Sequence, residues 1–141
     1  MTVLVWCGVV LLGGLGAVTR LTVDKAVSRR IGRPFPLGTL VVNISGAFVL
    51  GALAGLALRP HLALLAGTAF VGSYTTFSTW MLETQRLAEE RQLISALANI
   101  VVSVVFGLLA AWLGQRLGAR EVLRQGHRRH PRRRHQDDLH R

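Results

Sequence analysis

The sequence predicts an all-α membrane protein with four transmembrane helices per subunit, and three observations lead there. Half of its 141 residues are hydrophobic. Its 17 Lys+Arg and 7 Asp+Glu are segregated: none stands before Arg20, between Arg33 and Arg59, between Arg59 and Glu83, or between Arg91 and Arg116. Each of the four uncharged runs approaches or exceeds the ~20 residues that a helix rising ~1.5 Å per residue needs to cross a ~30 Å hydrocarbon core. A soluble core is excluded. Much enzymology is excluded with it, because almost no proton donor or acceptor remains at membrane depth, and a non-enzyme is expected. His61 is the only histidine outside the C-terminal tail, and Cys7 is the only cysteine, so neither an intrachain disulfide nor a CxxC metal site exists. Cys7 reads as a small apolar packing residue.

The first span is expected from about Val3 to Thr19. It lacks the basic stretch and A-x-A-like site of a signal peptide and is expected to be retained. Arg20 ends it, and the basic connector that follows (LTVDKAVSRRIG, then Arg33) suggests an amphipathic turn or two, broken by Gly32, Pro34 and Pro36. Span two follows from about Leu37 to Leu58, a tight corner at Arg59-Pro60, and span three from about His61 to Leu82. The charged connector ETQRLAEER (Glu83 to Arg91) reads as a helical extension into water, and span four covers about Leu93 to Leu117. The expected division is a transmembrane domain over 1–120 and an Arg/His-rich, disordered tail over 121–141. From His127 onward (HRRHPRRRHQDDLHR) almost nothing apolar remains to bury. That run fits anionic lipid headgroups or polyphosphate, but its simplest reading is a solvated tail dispensable for the core activity.

With four spans, Arg20, Lys25, Arg29, Arg30, Arg33, Arg86 and Arg91 fall on one side. Arg59, Arg116, Arg120, Arg124 and the six tail arginines fall on the other. The side that the positive-inside rule places in the cytoplasm therefore changes with whether the tail is counted. So indecisive a bias permits insertion both ways and an antiparallel homodimer.

Lipid offers no hydrogen-bond partners, so polar side chains deep in a span face protein or water. Four clusters stand out. GGLGAVTR (Gly13 to Arg20) offers small residues for close helix approach. GTLVVNISGAFVLG (Gly38 to Gly51) sets Thr39, Asn43 and Gly46 or Ala47 on one helical face, with Asn43 as an interhelical hydrogen bonder or a pore-lining amide. Gly51 and Gly55 read as packing. GSYTTFSTW (Gly72 to Trp80) is the least helix-like stretch, and a break near the midplane is expected there, tolerated only where freed backbone groups are buried or bind an ion. Span four carries Ser95, Asn99, Ser103 and Gly107 at i+4 steps, an interhelical seam or one wall of a hydrated track. No membrane-embedded carboxylate is present to couple transport to protons. The pattern suggests passive movement of something small, and the net charge of +10 tilts toward an anion.

GGLGAVTR, GTLVVNISGAFVLG and GSYTTFSTW, in this order and spacing on successive spans, resemble the Fluc/CrcB family of bacterial fluoride channels over about residues 3–117. The resemblance implies a dual-topology, antiparallel homodimer in the bacterial cell (inner) membrane. Its two narrow pathways let cytoplasmic fluoride leak out down its electrochemical gradient and limit fluoride toxicity. It further implies that Thr39 and Asn43 line the pathway and that Phe77 and Trp80 turn ring edges to the anion. Ser78 and Thr79 supply hydroxyls, and Asn99 and Ser103 continue the polar track. A structural sodium ion on the dimer axis is implied at the main-chain carbonyls of Gly72 and Thr75. Arg20 ends the first motif, and Glu83 stands where the family often keeps an acid. Trp80 replaces the usual second phenylalanine, keeping an electropositive ring edge and adding an indole N–H. Asn99 and Gly107 stand where some relatives have tyrosine or serine. The expected partners are fluoride, membrane lipid and a second copy, with no nucleic acid.

Two rivals belong to other classes. A proton-coupled exporter of the small multidrug resistance type needs a glutamate embedded in span one, and span one has none. A non-transporting membrane scaffold would pair through its Gly-rich faces and recruit anionic partners with the tail, leaving a broken span three unexplained.

Overall fold

The computed structural model describes residues 2–31 and 35–129, and every regular element among them is helical. Helix α1 spans Thr2–Ile31 and α2 spans Leu37–Gly55. A composite run over 60–74, here α3, consists of an α turn Pro60–Ala63, a π-helical stretch Leu64–Val71 and a last turn Gly72–Tyr74. Helix α4 spans Phe77–Glu89 and α5 spans Leu93–Arg129. Among the described residues, three helices are long and apolar enough to cross a membrane: Val3–Arg30, Leu37–Gly55 and Leu93–Gln125. The run expected as span three, His61 to Leu82, is divided between α3 and α4.

Helix α1 continues past Arg20, where the charge pattern suggests a short connector segment. The segment 21–31 contains neither Gly nor Pro, so nothing in it stops a helix, and Arg29 and Arg30 in the last turn suit the negative end of the helix dipole. Its 30 residues amount to about 45 Å, more than a ~30 Å hydrocarbon core, so one end projects from the membrane. Two hydroxyls are satisfied within the helix itself: Thr19 donates to the Leu15 carbonyl (2.8 Å) and Thr22 to the Val18 carbonyl (2.9 Å). At the other end of the chain, α5 carries helix through 121–129, the first part of the expected disordered tail. The remainder, 130–141, lies outside the described residues.

Proline at the first position opens α3 after the Arg59 corner. Its π stretch closes with the Gly72 N–H donating to the Gly67 carbonyl, one residue further back than an α-helical bond. Two extended residues, Thr75 (ψ 159°) and Thr76 (φ −146°, ψ 122°), then separate α3 from α4. Thr76 caps α4, its side chain accepting from the Thr79 N–H at 3.3 Å. Helix α4 ends on Arg91 in the left-handed region (φ 59°), with Gln92 N–H returning to the Leu87 carbonyl at 2.8 Å.

The most extensive packing is between α2 and α5. Its cause is legible in the glycines. A methyl on Gly51 would strike the Ala111 carbonyl, one on Gly55 the Gln115 carbonyl, one on Gly114 the Phe48 carbonyl, and one on Gly118 the Ala52 carbonyl. Each helix thus offers a small-xxx-small pair to the other's backbone. Helix α1 packs on the π stretch in the same way, Gly16 lying against the Phe70 carbonyl. Inserting Gly51→Val must separate α2 from α5, at a cost of about 1–3 kcal/mol or more. A lower unfolding midpoint and lower folded yield in detergent are expected, while Gly14→Ala, at a site with no atom within 4 Å, should leave both unchanged.

Candidate functional site

The site assembles where α2 crosses the Thr75–Thr76 interruption. Thr39, Asn43, Gly46 and Ala47 recur along one face of α2, and Gly46 is small enough to admit Thr75 and Tyr74 against the helix. Asn43 then makes a two-pronged bond to one residue: its Nδ2 donates to the Thr76 carbonyl (2.9 Å), and its Oδ1 accepts from the Thr76 N–H (2.8 Å). Beside it, Ser45 Oγ and the Tyr74 hydroxyl pair at 2.9 Å, and the Tyr74 ring lies parallel to that of Phe70 at 6.3 Å.

This arrangement rewires the backbone. In a continuous helix the Thr76 N–H would bond the Gly72 carbonyl and the Thr79 N–H the Thr75 carbonyl. Here the first goes to Asn43 and the second to Thr76 Oγ1, so both carbonyls stand outside the helical ladder. Thr75 Oγ1 donates back to the Val71 carbonyl at 3.1 Å.

An open cleft of about 290 Å³ adjoins the interruption, lined on the α2 side by Asn43, Gly46, Ala47 and Leu50 and on the other by Thr75, Thr76, Phe77 and Trp80. Phe77 and Trp80 meet edge to face, with centroids 5.5 Å apart, and Phe77 is 72% exposed. On the other side of Thr76 lies a smaller cavity of about 70 Å³, lined by Arg20, Leu21, Asp24, Thr39, Val42, Thr76 and Thr79. Thr76 lines both spaces. Arg20 Nε and Thr39 Oγ1 are buried without a hydrogen-bond partner in the chain. Glu83 opens the charged connector beyond the expected span. Burial lifts its carboxyl above the ordinary range; Asp24 acts with this and Arg86 against it.

The structure thus gathers Thr39, Asn43, Thr75, Phe77, Thr79 and Trp80 around the interruption. Ser78 is exposed, its hydroxyl 3.4 Å from that of Thr76. Asn99 and Ser103 form a separate cluster on α5. Fully buried Asn99 donates through Nδ2 to Thr84 Oγ1 (2.8 Å), which donates to the Trp80 carbonyl (2.8 Å), while Asn99 Oδ1 and Ser103 Oγ have no partner in the chain. Two organising residues are not singled out by the sequence. Thr76 carries no signal apart from its neighbours, and Thr84 sits in a connector dominated by its charges, although its i+4 spacing from Trp80 is visible there. Among the described residues no group of three His, Cys, Asp or Glu could hold a metal ion.

The pattern of the family described as "CrcB-like protein, Camphor Resistance (CrcB)" matches residues 7–115. A protein of Mycolicibacterium paratuberculosis named "Fluoride-specific ion channel FluC 2" is 72% identical over 116 residues, covering 82% of this chain and 95% of its own length. One of the same name from Mycobacterium tuberculosis is 69% identical over 115 residues, covering 82% and 91%. "Fluoride-specific ion channel FluC 1" of Leifsonia xyli is 45% identical over 126 residues, covering 86% and 92%. With the matched pattern spanning both α2 and the interrupted α3–α4 run, the chain belongs to the CrcB-like family and is a multi-pass membrane protein.

Proposed function

We propose that this chain is a fluoride-selective passive channel of the bacterial inner membrane, lowering fluoride toxicity by letting the cytoplasmic ion run out down its electrochemical gradient. The observation that carries the reading is the Asn43–Thr76 junction, which holds a polar, open backbone segment beside an aromatic-rimmed cleft at membrane depth. In this reading α3 and α4 together make one span broken near the midplane, which brings the count to four.

Fluoride is small and strongly hydrated, so a selective path must replace its water with closely spaced donors. An amide nitrogen carries two N–H bonds, and Asn43 spends one on Thr76, leaving the second for the cleft it lines. The Trp80 indole N–H is buried without a partner in the chain, and the exposed edge of Phe77 carries partial positive charge. Ser78, Thr79 and Ser103 carry further hydroxyls on α4 and α5, and the buried Thr39 and Asn99 add a hydroxyl and an amide. Arg20 lines the smaller cavity together with Asp24.

Two copies in antiparallel orientation form the working unit. The supporting features are the exposed Phe77, the openness of the cleft, and a Lys and Arg bias between the two membrane faces whose sign changes with whether the tail is counted. A structural sodium ion fits the freed carbonyls of Gly72 and Thr75, which are oxygen donors of the kind a hard cation takes. When bound on the dimer axis it would neutralise their converging partial charges. An exporter of the small multidrug type would need a carboxylate within α1 ahead of Arg20, where the sequence has none.

The test is fluoride efflux from liposomes holding the purified protein, read with a fluoride electrode beside chloride-loaded vesicles, with and without a pH gradient. Fast fluoride release, little chloride release and no need for the gradient are expected; strict dependence on a proton gradient would reinstate the exporter. Asn43→Asp places a carboxylate in the path and removes the donor to the Thr76 carbonyl, so flux should fall by at least about tenfold. Wild-type flux in that variant would contradict the pore assignment. Phe77→Ile, at an exposed ring whose loss opens no core cavity within the chain, should cut flux, read on material that elutes as wild type does. Replacing internal and external sodium by a large organic cation should slow or abolish flux if Gly72 and Thr75 hold the ion.

A further inference from the structure

Helix α5 is longer than the membrane is thick. Its 37 residues extend about 55 Å against a hydrocarbon core of ~30 Å, and its uncharged stretch ends at Arg116. Trp112, one turn earlier, is 54% exposed, and the Arg116 guanidinium lies over its ring at 4.9 Å from the centroid. An amphipathic aromatic ring with an arginine above it marks the level where the helix leaves the hydrocarbon.

From that level an orderly row begins. Arg116, Arg120 and Arg124 follow at i+4 steps and all are exposed. Gly114 and Gly118 fix the rotation of this part of α5, because both are pressed against the α2 backbone. Arg116 lies midway between them in sequence, about 180° from their mean direction at ~100° per residue, so it faces away from α2. Arg120 and Arg124 drift from that direction by about 40° per step. Glu121, the lone acid of this stretch, is two turns beyond Gly114 and falls on the α2 side, far around the helix from Arg116 but only three residues, about 60°, from Arg124. Leu113 (47% exposed) and Leu117 (44% exposed) lie to one side of Arg116, about 60° and 100° around the helix from it. The rise from Arg116 to Arg120 is about 6 Å and to Arg124 about 12 Å, which places the row in the headgroup layer and just above it.

We infer that the outward face of α5 from Trp112 to Arg124 is a binding surface for anionic phospholipid headgroups, with Leu113 and Leu117 against the acyl chains and the three guanidiniums on phosphates. Two features single out lipid as the occupant: the row starts at the apolar boundary, and it is graded from apolar to cationic along the membrane normal. Arginine matches phosphate in fork geometry, and a basic segment at this depth attracts anionic lipid with a strength that salt screens.

The test uses the full chain in phosphatidylcholine vesicles doped with spin-labelled phosphatidylglycerol or spin-labelled phosphatidylcholine, measuring the motionally restricted fraction of each. Wild type should favour phosphatidylglycerol, and the triple variant Arg116→Gln, Arg120→Gln, Arg124→Gln should lose about tenfold of that preference, as should wild type in high salt. The matching triple Lys variant should retain most of it. Elution and thermal midpoint equal to wild type establish that the Gln variant is folded, independently of whether the protein conducts fluoride. A further variant carries Gln at the six tail arginines (128, 129, 132, 133, 134 and 141) and should keep the preference. Retained preference in the helix variant, its loss in the tail variant, or none in wild type, as when a second copy covers this face, would each overturn the inference.

Discussion

Everything at the centre of this molecule depends on one side chain binding one backbone residue from both sides. A chain that leaves helix at membrane depth exposes an N–H and a C=O with no water to receive them, at several kcal/mol each in hydrocarbon. Asn43 answers both groups of Thr76 at once, in the geometry of a paired strand contributed by a side chain. Only a primary amide can do this from a single position, because it presents a donor and an acceptor side by side. Aspartate lacks the donor and leucine lacks both. The Thr76 side chain completes the arrangement by capping α4, so the cost of interrupting the helix is largely met by two residues 33 positions apart in the chain.

The remaining packing exists to hold Asn43 opposite Thr76. The register of α2 is set against α5 by Gly51 and Gly55 on one helix and Gly114 and Gly118 on the other, each too close to a carbonyl to carry even a methyl group. In lipid, where apolar burial gives helices little reason to associate, such backbone approach is the principal attraction available. Gly16 fixes α1 on the π stretch in the same manner, and Gly46 lets Thr75 reach α2. Sliding α2 by one residue would therefore meet carbonyl clashes before it broke the amide junction.

How far this is legible in the sequence follows from which signals are local. The charge gaps locate the apolar runs, and the i, i+4 recurrence places Thr39 and Asn43 on one face. The crowding of Gly, Thr and Ser at 72–80 marks where helix is disfavoured, and Thr75 and Thr76 are extended there. Hydropathy, however, finds where a helix meets water and not where it stops. A connector placed after Arg20 confuses the two, and α1 continues to Ile31 because no breaker intervenes before Gly32. The π stretch Leu64–Val71 is apolar apart from one threonine and one glycine, so neither helical period leaves a pattern to read. That Asn43 meets Thr76, and that Asn99 meets Thr84, depends on where helices cross, which no local spacing encodes.

The residual polar groups complete the physical case. Arg20 Nε, Thr39 Oγ1, Trp80 Nε1, Glu83 Oε2, Asn99 Oδ1 and Ser103 Oγ are all buried without a partner within the chain. Packing alone does not account for them, because an apolar residue of similar size at each position would avoid a penalty of about 1–3 kcal/mol apiece. They are also not scattered: Arg20 and Thr39 line the small cavity with Thr76 and Thr79, Trp80 rims the larger cleft, and Asn99 is tied to the Trp80 carbonyl through Thr84. Four of the six, Arg20 Nε, Thr39 Oγ1, Trp80 Nε1 and Ser103 Oγ, can donate, as the proposed fluoride path requires. In the proposed channel the freed carbonyls of Gly72 and Thr75 are the complementary acceptors, and a sodium ion held there would offset their negative ends.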